Sequence, residues 1–196
     1  VEAILQYNKD IEIDTYFING KQSKFNYLKS CFSINNKLRK KKYDVVHTHF
    51  GLSGIFYLLY KIPHTKHILT IHGSDFDSTN LIIQKIIKLV IKKSNHIICV
   101  NKNMKNELSH YNSSIHIIPC GVNTNIFKPD QIKRKNKNLK IAFPASILRP
   151  EKNYPFFKQI IDELNNRNIF NAIDVFEIHD MNRFQVNETL NTIDVL

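Results

Sequence analysis

The sequence predicts an α/β protein built on parallel β-sheet covered by helices on both faces. Two observations carry this. Short, nearly continuous apolar runs read as buried strands, and amphipathic helical stretches alternate with them along nearly the whole chain. The 196 residues suffice for one domain, or for one and part of another. A composition of 42% hydrophobic and 23% charged residues excludes intrinsic disorder. No run approaches the roughly 18 uninterrupted apolar residues of a membrane span, and no signal-peptide pattern is visible.

Residues 1–8 look like the tail of a helix, and Ile11 to Ile18 alternates as a strand that closes on the turn Asn19-Gly20. Phe25 to Lys42 has helical apolar spacing and a basic end. Asp44 to His49 is a short buried strand, Gly51 to Tyr60 a helix stopped by Pro63, and His67 to Ile71 the next strand. Leu81 to Lys93 is strongly helical, with Ile82, Ile83, Ile86, Ile87, Val90 and Ile91 on one face and Lys85, Lys88 and Lys92 opposite. His96 to Val100 and Ile115 to Ile118 are strands, separated by a helix from Lys102 to His110 that Asn101 caps. Gln131 to Asn138, polar and basic, is the linker. Beyond it come strand Leu139 to Phe143, helix Tyr154 to Asn165, strand Ile173 to His179, helix Asn187 to Ile193 and the start of a strand at Asp194. The expected organisation is therefore a domain over 1–130, a linker over 131–138 and the first part of a second domain over 139–196.

The formal net charge of +11 permits an anionic partner. The 29 Ile, 23 Asn and 23 Lys share A- and T-rich codons, however, so base composition alone raises the lysine content and no nucleic-acid partner is expected. The basic side of the helix Leu81 to Lys93, with Lys37 and Arg39 to Lys42, suggests contact with an anionic membrane. The plainer reading is that the isoleucine face of that helix packs on the sheet. Cys31, Cys99 and Cys120 lack metal-type spacing and read as reduced thiols of a cytosolic protein.

Ligands of open parallel sheets bind at the carboxyl ends of the strands. Four such ends carry unusual residues: His47 to Gly54, Thr70 to Asp75, Ile118 to Pro129, and Phe143 to Asn153. Each alone is weak, because a histidine at a strand end is commonly a backbone hydrogen-bonding group and a glycine commonly serves a turn. His47 and His49 share a strand face at i and i+2, the spacing of a first metal pair in an amidohydrolase barrel. His72, Asp75 and His179 are further ligand candidates for such a metal-dependent hydrolase, although a barrel needs about 250 residues.

The order and spacing of the four ends together resemble the retaining glycosyltransferases of family 4, which have the GT-B architecture of two Rossmann-like domains. The matching residues are Asp44 to His49, Thr70 to Gly73, Ser94 to Asn101, Ile118 to Pro129 and Phe143 to Lys152. The form Phe-Pro-Ala-Ser-Ile-Leu-Arg-Pro-Glu-Lys-Asn-Tyr looks like a subgroup making cell-surface polysaccharides of the teichuronic-acid type. The resemblance implies a nucleotide-sugar donor and a glycan or lipid-linked acceptor. It implies no cofactor and no metal, the protein supplying the positive charge, and a cytoplasmic enzyme at the inner face of the membrane. It assigns His72 to catalysis beside the donor sugar and Arg149 and Lys152 to the donor phosphates. The substrate cleft takes His49, Gly51, Gly73, Ser74, Asp75, Gly121, Asn123 and Ser146, with strand ends of the two domains facing each other.

Three departures accompany the resemblance. Cys120 and Asn123 replace the family's usual Asn and Asp, and Ser146 stands where many relatives have Arg, so Arg149 is expected to supply that charge. The family's first strand with its glycine-rich loop, and its later paired glutamates, have no counterpart in the sequence. The expectation is an internal fragment, an incomplete GT-B fold inactive by itself.

Overall fold

The computed structural model describes residues 8, 10–20, 22–73, 80–130, 138–168 and 170–196. The chain divides into two units, Val1–Cys120 and Gly121–Leu196. The division falls upstream of the expected linker, of which residues 131–137 lie outside the described residues, as does the expected helix tail before Asn8.

The first unit opens, after an irregular stretch, with helix α1 (Phe25–Lys40). Four parallel strands follow: β1 (Val45–His49), β2 (Lys66–Ile71), β3 (His96–Cys99) and β4 (Ile115–Ile117). They lie in the sheet in chain order, β1-β2-β3-β4. Between β1 and β2 the chain makes a 3₁₀ turn (Gly51–Gly54) and the short helix α2 (Ile55–Leu59). Helix α3 (Leu81–Lys93) and helix α4 (Lys102–Leu108) fill the next two crossovers.

Helix α3 begins where the Asn80 side chain accepts the Ile82 and Ile83 amides, and α4 where the Asn101 side chain accepts that of Met104. Such caps satisfy helix-end donors that have no intrahelical partner. Of the six apolar residues expected on one face of α3, Ile87, Val90 and Ile91 are fully buried and Ile83 and Ile86 pack at the margin. Ile82 is exposed, because it sits at the edge of the stripe in the first turn. The core joins these residues to Leu69 and Ile71 of β2, Ile97 and Cys99 of β3, Phe56 of α2 and Leu108 of α4. Gly51 allows the close approach of α3: a Cβ there would lie 2.6 Å from Ile87 Cγ2.

His67 is the polar centre of this core. Its Nε2 lies 2.9 Å from Thr48 Oγ1 and its Nδ1 3.0 Å from Ser94 Oγ. The Ser94 hydroxyl donates to the Val90 carbonyl (2.7 Å), so it accepts from His67, which fixes the neutral Nδ1–H tautomer with Nε2 accepting from Thr48. The ring packs against Phe56 and Tyr57. Burial, followed by the nearby His47, pushes its pKa down to about 4.

The expected strand Ile11 to Ile18 is not one. This stretch is extended but joins no ladder among the described residues, and β1 pairs only with β2. Alternation creates a strand only where a partner edge accepts its backbone. Side chains tether the stretch instead: Lys41 contacts Glu12 and Asp14, and the Tyr43 hydroxyl donates to Asp14 Oδ2 (2.6 Å).

In the second unit β5 (Leu139–Phe143) pairs in parallel with β6 (Ile173–Glu177). On its other side β5 meets Val195 through a parallel bridge at Ile141, so the expected strand start at Asp194 does join the sheet. A 3₁₀ turn (Pro150–Lys152) leads into α5 (Tyr154–Asn166), and α6 (Arg183–Thr192) follows β6. Helix α6 begins four residues before the expected Asn187, where Asn182 and Gln185 form a reciprocal capping box. Residues 121–130 attach to α6: Asn187 accepts the Lys128 amide, and Asn191 accepts that of Asp130 and donates to the Lys128 carbonyl.

Because folded His67 stays neutral while the unfolded chain protonates near the ordinary histidine value, the unfolded state binds more protons between pH 6.5 and about 4. Stability is therefore fully present above pH 6.5 and falls as the pH drops through that window, by at most about 3 kcal/mol. Urea midpoints measured across this range should fall with acid in the wild type and fall much less in His67→Gln.

Candidate active site

The register of β1 against β2 places Val46 opposite His67, His47 opposite Ile68 and His49 opposite Thr70. Alternate residues of a strand point to opposite faces. Thr48, His67, Leu69 and Ile71 therefore point into the core beside α3, while His47, His49 and Thr70 share the other face. There His47 Nε2 lies 2.7 Å from Thr70 Oγ1, and the rings of His47 and His49 are 4.4 Å apart. His72, the first residue past β2, stacks on His49 at 5.5 Å, with its Nε2 3.2 Å from His49 Nδ1. Three imidazoles thus line the carboxyl edges of adjacent strands.

The chain turns sharply around this group. Phe50 has a positive φ of 78° and its amide donates to the Thr70 carbonyl (3.1 Å), while Gly73 has φ 97°, a backbone region that favours glycine. Beside the histidines lies a cavity of about 450 Å³ whose walls include Asp14, Tyr16, Tyr43, His47, His49 and Phe50.

A hydrogen bond between His49 and His72 needs one ring to donate and the other to accept, so the contact requires at least one neutral imidazole. Partial desolvation, then the charges of His49 and His72, lower the pKa of His47. Partial desolvation, then His72, lower that of His49. Both shifts favour the neutral imidazole of His47 and His49, a form that can donate one hydrogen bond and accept another.

In the second unit the loop after β5 holds Ser146, Arg149 and Lys152. Ser146 is buried and builds the loop: its Oγ accepts the Leu148 amide (3.2 Å) and its carbonyl that of Arg149 (3.1 Å). Glu177, at the end of β6, accepts the Ile147 amide (3.1 Å). Phe143 packs on Tyr154 and Phe157, each at 5.1 Å, which fixes α5 to β5 on either side of the loop. Asn153 takes the left-handed conformation (φ 53°) before α5. The Arg149 guanidinium is 2.6 Å from Glu151. A hydrogen bond from its own backbone, then Arg149, hold the Glu151 carboxyl below the usual carboxylate range.

The structure thus brings His49 and His72 together, and Ser146, Arg149 and Lys152 together in one loop. Gly51 is buried under α3 rather than lining an open surface. A Cβ added at Gly121 would meet nothing within 4 Å, and Asn123 organises a turn by accepting the Asn125, Ile126 and Phe127 amides. Both belong to the second unit. Ser74 and Asp75 lie outside the described residues. Sequence reasoning missed Thr70 as the partner of His47 and Glu177 as the anchor of the loop after β5; strand register brings each near its partner.

The family model described as Glycosyltransferase Family 4 matches residues 6–126. The chain belongs to this family. It is 30% identical to the UDP-Gal:alpha-D-GlcNAc-diphosphoundecaprenol alpha-1,3-galactosyltransferase of Escherichia coli, over 72% of this chain and 42% of that protein. Its fold is similar to that of the sucrose-phosphate synthase of Thermosynechococcus elongatus (TM-score 0.60, 12% identity, 91% of this chain and 55% of the other). It is also similar to the catalytic domain of Starch Synthase IV of Arabidopsis thaliana bound to ADP and acarbose (TM-score 0.55, 12% identity, 87% and 51%). The chain thus spans less than half the length of the curated relative and about half of each solved structure. At that identity the solved structures speak for the fold, which is incomplete GT-B with Rossmann-like parallel sheets.

These findings do not support the metal-hydrolase alternative. The first unit is an open sheet rather than a barrel. Among the described residues no group of three or more His, Cys, Asp or Glu is arranged to hold a metal. His47 and His49 do share a strand face, with one ring nitrogen of each engaged, His47 Nε2 with Thr70 and His49 Nδ1 with His72.

Proton titration followed by NMR should find His47 and His49 below the ordinary imidazole value. In His72→Ala the His49 value should rise yet stay below 6.5, because the desolvation remains. An unmoved His49 titration would show that the two rings do not interact in solution.

Proposed function

We propose that the protein carrying this chain is a retaining glycosyltransferase. It transfers a sugar from a nucleotide-sugar donor to a lipid-linked glycan acceptor in the synthesis of a cell-surface polysaccharide, on the cytoplasmic side of the membrane. The observation that carries this reading is the His49–His72 pair at the carboxyl edges of β1 and β2, inside the stretch matched by the family model. The Escherichia coli relative, named for a diphosphoundecaprenol acceptor and a UDP-linked galactose, supports a lipid diphosphate acceptor and makes UDP-galactose the first donor to try.

In this reading departure of the nucleoside diphosphate creates negative charge on its phosphates and positive character on the sugar. Preorganised cations lower that barrier without reorganisation during the reaction. Arg149 and Lys152 take the phosphates ahead of α5, whose N-terminus adds its dipole. Glu151 occupies Arg149, so a donor phosphate competes with a carboxylate there and Lys152 carries the larger share. His72 contacts the donor sugar through one ring nitrogen, and His49 sets its ring orientation. Gly73 shapes the turn after His72, and Ser146 holds the phosphate loop in shape.

The complete protein, assayed with UDP-sugars and diphosphoundecaprenol-linked GlcNAc, should transfer sugar. His72→Ala and Lys152→Ala should each lower kcat/KM by about 10²-fold, the cost of one preorganised contact of about 3 kcal/mol. Lys152→Ala should also weaken binding of the free nucleoside diphosphate in calorimetry, and His72→Ala should leave it unchanged. Wild-type rates in either variant would overturn the assignment.

A further inference from the structure

Between Arg149 and Lys152, the two cations assigned above to the donor phosphates, stands a carboxylate. One short turn carries all three: the Lys152 amide donates to the Arg149 carbonyl (3.0 Å) and the Asn153 amide to that of Pro150 (3.1 Å). Glu151 Oε1 lies 2.7 Å from Arg149 Nε and 2.6 Å from Arg149 Nη2. These two nitrogens form the edge of a guanidinium that can bind an anion through two oxygens at once. Here both donors converge on a single carboxylate oxygen, a poorer contact than the parallel pair of bonds that this edge can make. Lys152 makes no ion pair among the described residues.

The loop does not need this carboxylate for its shape. The turn closes through backbone bonds, and Ser146 and Glu177 anchor the residues ahead of it. The bond from its own backbone amide, then Arg149, favours the charged form of Glu151, so the side chain is an anion whenever Arg149 is free to meet it. The Arg149 and Glu151 side chains are 55% and 57% exposed, so water and a ligand reach both. Losing an ion pair this exposed shifts an equilibrium by no more than about fivefold. The contact is thus strong enough to hold Arg149 before a phosphate arrives and weak enough for a phosphate to displace.

We propose that Glu151 is a built-in counter-anion of Arg149, which exchanges with a phosphate of the nucleotide sugar and reclaims the guanidinium when the nucleoside diphosphate leaves. On arrival the phosphate offers Nε and Nη2 an oxygen each, in place of one oxygen shared between them, so the exchange runs toward the bound donor. After sugar transfer the nucleoside diphosphate has to part from the same cations. Glu151, two residues from Arg149 in the same turn, then competes for the guanidinium at a high local concentration. Its carboxylate lowers the affinity for the product and speeds its release. The inference rests on the reading of Arg149 and Lys152 as phosphate ligands and adds what ends their contact.

The complete protein is titrated with UDP, ADP and GDP by calorimetry, and release of the tightest binder is timed by stopped flow. Glu151→Gln should bind that nucleotide about two- to fivefold more tightly than the wild type and release it more slowly by a similar factor. Arg149→Ala should cost more affinity in the Glu151→Gln background than in the wild type, by the same factor, because only in the wild type does a carboxylate draw the guanidinium away. A Glu151 that served the turn, or aimed Arg149 at the phosphate, would reverse both signs. Unchanged or weaker binding by Glu151→Gln, or an Arg149→Ala cost at least as large in the wild type, would overturn the inference. Circular dichroism checks the fold, and Glu151→Ser repeats the measurement if the glutamine amide disturbs the turn. Lys152→Ala separates the two readings. Affinity lost there, with none gained in Glu151→Gln, removes the counter-anion alone, whereas unchanged affinity removes the phosphate assignment itself. Binding of none of the three nucleotides by the wild type would remove both.

Discussion

The parallel ladder between β1 and β2 is the constraint on which the first unit depends. Its register sends Thr48, His67, Leu69 and Ile71 inward and His47, His49 and Thr70 to the opposite face. A slip of one residue would exchange the two sets. It would put His47 and His49 into the apolar packing against α3 and draw His67 away from Ser94. The same pairing therefore fixes the core and the candidate site, and the buried imidazole helps to define it: only one alignment meets both Thr48 and Ser94. A polar group so placed costs desolvation free energy that full hydrogen bonding offsets.

The second unit reaches comparable order by other means. The loop after β5 is held from three directions: by Ser146 from within, by Glu177 from the neighbouring strand, and by the Phe143–Tyr154–Phe157 cluster that seats α5. Arg149 and Lys152 thus project from a turn whose backbone is already organised. Preorganisation of this kind is what makes a cation useful to a reaction that develops charge on phosphate.

Much of this was legible in the sequence. Helix α3 could be read to the residue because its apolar stripe and its opposite lysine face agree. Strands β2 and β5 were recognisable within one residue for their dense apolar content. The stretch Ile11 to Ile18 misled because strand formation is decided by a partner edge, which local alternation does not report. The start of α6 was missed although Asn182 and Gln185 carry a capping-box spacing, since apolar periodicity marks helix interiors better than helix ends. Within the site, the histidine and Arg-Pro-Glu-Lys motifs were visible as residues. Their contacts were not: His49 meets His72, 23 positions away in the chain, only through the sheet. His67 looked like any other histidine because burial is a property of the assembled layers.

Sheet order in the first unit follows chain order without exception, β1-β2-β3-β4. Each strand added during synthesis therefore finds its neighbour already laid down, one crossover earlier. Among the described strands each pairs with its neighbour in the chain, and the entropy of closing a crossover grows only slowly with its length. The ladder from β1 to β4 can thus be extended in the direction in which a ribosome delivers it.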